Sequence, residues 1–272
     1  MKRYLNMNPP RLVAKIESED TALRLAVLID ADNAQAAVIQ GLLAEIARFG
    51  EATVRRIYGD FTAPTSASWK KVLQKYAIKP VQQFAYTTGK NATDSALIID
   101  AMDLLYTRKF DGFCLVTSDS DFTGLAMRLR EEGLMVLGFG EKKTPDAFRN
   151  VCHKFIFTEV LRPGSANKHT DLPPKIENEK NSVHQHKAVS ESAQEFPKEF
   201  VLAALEQSTD DAGWANLGTF GSYLNKLQPD FDSRLYGFKK LSDLVKSKTN
   251  IFITEERQVP GSNQKNLYIR AK

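Results

Sequence analysis

The sequence predicts an α/β protein: a doubly wound parallel sheet in α/β/α layers, followed by a smaller winged-helix domain of the α+β class. Three observations carry that expectation. Short apolar runs at residues 25–29 and 113–116 lack polar alternation, so they read as strands covered on both faces. Amphipathic segments separate such runs at near-regular intervals, and strand–helix alternation closes most simply into a parallel sheet. Beyond residue 194 the pattern changes to three helices and a hairpin.

Taken in order, residues 1–22 hold Pro9-Pro10 and scattered charges and read as a loose arm. Residues 23–162 form the first domain. Strand 25–29 runs into Asp30-Ala31-Asp32-Asn33. A helix follows with Val38, Leu42, Ile46 and Phe49 on one face and Gly50 just past its end. Residues 52–58 read as a strand, Trp69 to Tyr76 as a short helix, and 80–84 as a third strand. Thr93 is a good N-cap for the next helix. At 100° per residue, Asp94 falls in line with Ile98, Ala101 and Leu105, whereas Asp100 and Asp103 point away as solvated acids. Strand 113–116 then leads to Asp119-Ser120-Asp121-Phe122. Phe122, Leu125, Ala126 and Leu129 mark a helix face, 134–139 another strand, and Thr144-Pro145-Asp146 a capped helix start. Residues 155–157 add a last strand.

Residues 163–194 are polar and read as a linker; its histidines, without partner cysteines, read as solvated. Residues 195–272 form the second domain. Phe200, Val201, Ala204 and Leu205 give a helix. Trp214 and Leu217 introduce a second, and Leu241, Leu244 and Val245 anchor a third. Apolar triplets at 251–253 and 267–269 flank the turn at 259–262.

Composition bounds the function. Of the 272 residues, 42% are apolar and 26% charged, as in a globular protein. No apolar run is long enough to span a bilayer and none follows the basic start as a signal core, so a cytoplasmic protein without a membrane partner is expected. The two cysteines, Cys114 and Cys152, sit in apolar contexts and read as reduced thiols. The net charge of +4 splits as +3 over residues 1–162, zero over 163–194 and +1 over 195–272. That bias permits a nucleic-acid partner without arguing for one. A homo-oligomer and a protein partner on the second domain stay open.

The chemistry lies in the acids. An unpaired carboxylate at the end of a buried strand is expensive to desolvate. In open α/β sheets ligands gather at the carboxyl ends of the strands. Asp30 ends the first strand, Asp119 and Asp121 end the fourth, and Asp94 opens a helix on the same rim. Together they would repel one another unless one or two Mg²⁺ or Mn²⁺ ions joined them. Such a site suits phosphodiester chemistry. Asn33 can position a ligand through its amide. Lys142, Lys143 and the helix start at Thr144 lie on the rim where a backbone phosphate would pass.

Four stretches carry a family resemblance: Leu28-Ile29-Asp30-Ala31-Asp32-Asn33, Lys90-Asn91-Ala92-Thr93-Asp94, Thr117-Ser118-Asp119-Ser120-Asp121-Phe122, and Gly138-Phe139-Gly140-Glu141-Lys142-Lys143-Thr144-Pro145. In this order they resemble the NYN domain, the LabA-like branch of the PIN-type ribonuclease superfamily. The resemblance implies a PIN-like fold and, in active members, metal-dependent endoribonuclease activity, with Asp30, Asp94, Asp119 and Asp121 as catalytic and metal-holding residues and Asn33 and Ser118 in support. Gly213-Trp214, Pro229-Asp230-Phe231-Asp232 and Leu235-Tyr236-Gly237-Phe238-Lys239-Lys240-Leu241 resemble the OST-HTH or LOTUS domain, which implies binding of RNA, single-stranded or G-rich in some members. Arg234, Lys239 and Lys240 are the candidate phosphate contacts; Tyr236 and Phe238 read more as core than as stacking residues. Two rivals are a catalytically silent RNA-binding adaptor and a haloacid-dehalogenase-like phosphatase with Asp30 as nucleophile.

Overall fold

A computed structural model describes residues 22–62, 66–84, 92–163, 195–258 and 265–272. Nearly all of the expected arm and of the linker, Lys90-Asn91 and the 259–262 turn lie outside the described residues.

Six strands form one sheet in the order β3-β2-β1-β4-β5-β6: β1 (Arg24–Asp30), β2 (Glu51–Gly59), β3 (Lys79–Gln82), β4 (Gly112–Val116), β5 (Met135–Gly140) and β6 (Lys154–Phe157). All five pairings are parallel. The strand order reverses between β1 and β4, which puts the topological switch point there.

The continuous apolar runs have a direct cause. Successive side chains of a strand point to opposite faces. Ala26 and Leu28 of β1 pack with α3 (Ala92–Tyr106), α4 (Thr123–Glu131) and α5 (Asp146–Val151) through Leu97, Leu105, Leu125 and Phe148. Leu25, Val27 and Ile29 pack on the other face against α1 (Ile39–Ile46) and α2 (Ala67–Lys75) through Leu42, Ile46 and Trp69. A strand covered on both faces has no position for a polar residue until it leaves the sheet. Each such Leu or Ile contributes about 1.5–3 kcal/mol by leaving water.

Three local expectations are corrected. Helix α3 already begins at Ala92, so Thr93 lies inside its first turn. Pro145 is itself the N-cap of α5, and the Thr144 hydroxyl donates to the Glu141 carbonyl instead (2.6 Å). Asp100 is half-buried rather than solvated: Arg56 and the Tyr58 hydroxyl both donate to its carboxylate. It sits on the flank of α3 facing β2, about 90° from the centre of the buried stripe; only Asp103 points fully outward.

The second domain comprises α6 (Lys198–Glu206), α7 (Leu217–Leu227), α8 (Leu241–Ser247) and an antiparallel sheet ordered β7-β9-β8. Its strands are β7 (Ala215–Asn216), β8 (Phe252–Gln258) and β9 (Lys265–Ala271). Val201, Leu205, Phe220, Leu224, Leu244 and Ile269 make its core, with Tyr236 and Phe238 packed against it, as expected. Trp214 does not open α7. The helix starts after Asn216, whose side chain accepts from the Gly218 and Thr219 amides. Trp214 instead precedes β7, turned there by Gly213 at φ +75°.

The two domains touch. The Phe155 amide on the outer edge of β6 donates to the Pro229 carbonyl (2.9 Å), so a loop covers part of an otherwise open edge. Lys154 Nζ donates to Asn225 Oδ1 and to the Phe231 carbonyl (2.7 Å each). Arg149 pairs with Asp230, and Arg234 bridges Asp232 and Glu45.

Candidate metal centre

The site begins with two neighbouring strand ends. Ile29 of β1 is level with Val116 of β4, so the next residues, Asp30 and Thr117, lie side by side. Both are fully or almost fully buried. The Thr117 hydroxyl donates to Asp30 Oδ2 (2.9 Å), and the Asn33 amide donates to the same oxygen (2.8 Å). The Asp32 backbone amide donates to Asp30 Oδ1 (3.0 Å). Burial pushes the Asp30 carboxyl up, and these three hydrogen bonds oppose it.

From Thr117 the bonds run outward. Its hydroxyl accepts from the Asp119 amide (3.1 Å), and Asp119 Oδ1 accepts from the Asp121 amide (2.9 Å). Asp119 thereby caps the short turn Ser120–Phe122, and buried Phe122 anchors the turn against the core. This geometry projects Asp119 and Asp121 beyond the sheet towards the first turn of α3, where Asp94 sits.

Asp94, Asp119 and Asp121 each offer a carboxylate oxygen within 4.8 Å of the others. The Asp94 carboxyl is pushed up to about 6, first by burial and then by the charges of Asp30, Asp119, Asp121 and Asp32. Among the described residues, no lysine or arginine forms an ion pair with Asp30, Asp94 or Asp119. Three oxygens of one charge at this spacing fit a hard divalent ion, whose ligands on opposite sides stand about 4–5 Å apart. Asp30 is not one of the three. Both its oxygens are engaged, and it reaches the group through its charge on Asp94.

The remaining sequence-predicted residues divide. Asn33 holds Asp30, as above. Ser118 is buried, and its hydroxyl accepts from the Glu141 amide (2.9 Å), tying the loop after β5 to the acid loop. Lys142 and Lys143 are exposed on that β5 loop, and Lys143 pairs with Glu141 (3.1 Å). Lys239 and Lys240 are exposed on the second domain. Arg234 stands away from the expected phosphate role: its guanidinium is spent on Asp232 and Glu45, both at most 9% exposed.

Thr117 and Gly140 complete the site; both stand within the family stretches, but the sequence reading does not assign them these supporting contacts. A Cβ at Gly140 would stand 2.5 Å from the Thr117 carbonyl and 2.6 Å from Thr144 Oγ1. Glycine there lets β5 press against the strand end that carries the acids. The only sequence signal for Thr117 is a hydroxyl placed directly after a buried strand.

A profile of the NYN domain matches residues 24–161, half of the chain. The chain belongs to the NYN domain family. The OST-HTH/LOTUS domain profile matches residues 193–263, so the second domain follows the NYN domain in the expected order. Among solved structures, an uncharacterized protein of Nitrosomonas europaea, studied by NMR, is 70% identical over 35% of this chain and 92% of its own, with a TM-score of 0.29. A protein of unknown function from Vibrio parahaemolyticus is 16% identical over 52% of this chain and 95% of its own, with a TM-score of 0.44. A Chromobacterium violaceum protein is 30% identical over 29% of this chain and 84% of its own, with a TM-score of 0.24. A search of curated proteins finds no match. Among the described residues no helix is long and apolar enough to cross a membrane.

Proposed function

We propose that this NYN protein is a metal-dependent endoribonuclease of the cytoplasm, with its OST-HTH/LOTUS domain holding the RNA. The observation that carries the reading is the convergence of Asp94, Asp119 and Asp121 at the switch point of a PIN-like sheet. These three would hold Mg²⁺ or Mn²⁺. When bound, such an ion supplies an activated water and neutralises charge on the leaving oxygen.

The chain's own residues do the rest. Asp94 gives up its raised affinity for a proton when a cation takes the proton's place. Asp30 adds negative potential from behind, and Thr117 and Asn33 fix its orientation. Thr117 also sets the height of Asp119 through the amide it receives. Lys142 and Lys143 on the rim, and Lys239 and Lys240 on the second domain, attract the phosphate backbone. The phosphatase alternative fares poorly, because a nucleophile needs a free lone pair facing the substrate, and Asp30 is 0% exposed.

The test is incubation of the full chain with end-labelled unstructured and structured RNAs in Mn²⁺, Mg²⁺ or chelator, with Asp119→Asn alongside. Internal cleavage by the parent with metal, lost in the chelator and in the variant, is expected. RNA affinity of the variant should stay within about twofold. Equal cleavage by variant and parent would defeat the reading, because it would place the chemistry elsewhere.

A further inference from the structure

The open face of the second domain's sheet carries four side chains in an alternating series. The Arg257 guanidinium carbon lies 4.4 Å from the centre of the Tyr268 ring and 4.8 Å from that of Trp214. The Arg270 guanidinium carbon lies 5.0 Å from the Trp214 ring. The series is therefore tyrosine, arginine, tryptophan, arginine. Strand register explains its side of the sheet. Tyr268 and Arg270 alternate with Ile269, which is buried in the core, so they project outward. Arg257 sits diagonally across from Tyr268 on β8. Arg270 is exposed, and Trp214, Arg257 and Tyr268 are half-exposed.

The series is fixed in place. Asp210 Oδ1 accepts from the Trp214 amide (2.8 Å), and the Asp210 amide donates to the Trp214 carbonyl (2.8 Å). Glu255 takes two hydrogen bonds from Arg257, at 3.1 and 3.2 Å, and orients its plane. Planar cations and aromatic rings held side by side, on a sheet face whose side chains are exposed or half-exposed, form a platform that a further flat group can extend. A nucleobase is such a group, and stacking tolerates any base. Glu255 answers the charge of Arg257, while exposed Arg270 presents its guanidinium at the end of the series, where an accompanying phosphate would pass.

We propose that this face is a stacking site for bases of single-stranded RNA, entered on Tyr268 at one end of the series and Arg270 at the other. The proposal rests on the RNA-holding part of the proposed function and is independent of cleavage.

The experiment is fluorescence anisotropy of a labelled unstructured oligonucleotide RNA with the full chain, in chelator so that no metal-dependent cleavage occurs. Tyr268→Leu should weaken binding about tenfold. Arg257→Lys and Arg270→Lys keep the charge and remove the plane; each should weaken binding about three- to tenfold, whereas an electrostatic patch alone would be unaffected by them. These two conservative changes cover the case in which Tyr268→Leu misfolds. Trp69 is 3% exposed and Trp214 is the other of two tryptophans. The Trp69→Phe variant should therefore show a saturable change in Trp214 emission with the same midpoint. Parent-like affinity in both lysine variants, with Trp214 emission unmoved, overturns the proposal even if RNA binds and is cleaved. No RNA binding by the parent overturns it together with the RNA-holding reading.

Discussion

Two groups of acids among the described residues, one at the domain contact and one at the sheet rim, are treated in opposite ways. At the domain contact, Glu45, Asp230 and Asp232 face Arg149, Arg234 and Lys154. Burial alone would raise the Asp232 carboxyl, but Arg234 holds it below its ordinary value. At the sheet rim, Asp30, Asp94, Asp119 and Asp121 face one another, and every influence on Asp94 raises it. Where an acid serves to hold the fold together, the chain supplies the cation. Where acids gather at the rim, the proposed metal ion would supply the neutralising charge.

The largest expected effect lies at the rim. Asp94→Asn or Asp119→Asn should slow metal-dependent RNA cleavage at saturating RNA by about 100-fold or more, since the lost charge stabilisation is worth several kcal/mol. At the domain contact the corresponding change acts on stability. Arg234→Ala takes from buried Asp232 its hydrogen-bonded cation and leaves buried Glu45 with only the exposed Arg48, and should cost about 3 kcal/mol, read as a lower urea midpoint. An unchanged midpoint would mean that the contact does not hold the domains. Gly140→Ala should cost about 1–3 kcal/mol and shift Thr117, lowering cleavage as well as the melting temperature.

The smallest effect gives the sharpest contrast. In metal-free protein, Asp94 keeps its proton up to about pH 6, whereas the unfolded chain loses it near pH 4. The folded state binds more protons in that window, so this contribution to stability falls as pH rises from about 4 to 6 and stays lost above it. Asp232 has the opposite sign. Its folded-state value is depressed, so its contribution is present above about pH 4 and disappears as pH falls further. Melting curves of Asp94→Asn and Asp232→Asn against pH should therefore flatten opposite limbs of the profile. Two variants flattening the same limb would contradict the comparison.

Much of this was legible in the sequence because two-sided burial writes itself as unbroken apolar runs. The residues at 25–29 and 113–116 could be little else, and their ends gave the positions of Asp30 and Asp119. Helical spacing likewise put Asp94 on the inward side. What stayed hidden was pairing across the chain. Nothing local distinguishes Asp100, bonded to Arg56 and Tyr58, from exposed Asp103. Arg234 looked like a phosphate ligand because nothing local shows that it joins Asp232 to Glu45, 189 residues away. Trp214 looked like a helix residue because the turn at Gly213 depends on φ rather than on polarity.

The most direct test of the central claim is a Mn²⁺ titration of the full chain at pH 7, followed by electron paramagnetic resonance of the free ion. The parent should bind Mn²⁺ saturably, and Asp94→Asn, Asp119→Asn and Asp121→Asn should each weaken that binding about tenfold or more, while Asp103→Asn on the outer face of α3 behaves as the parent. Mn²⁺ binding that is absent in the parent, or unaltered by all three rim substitutions, would contradict the account.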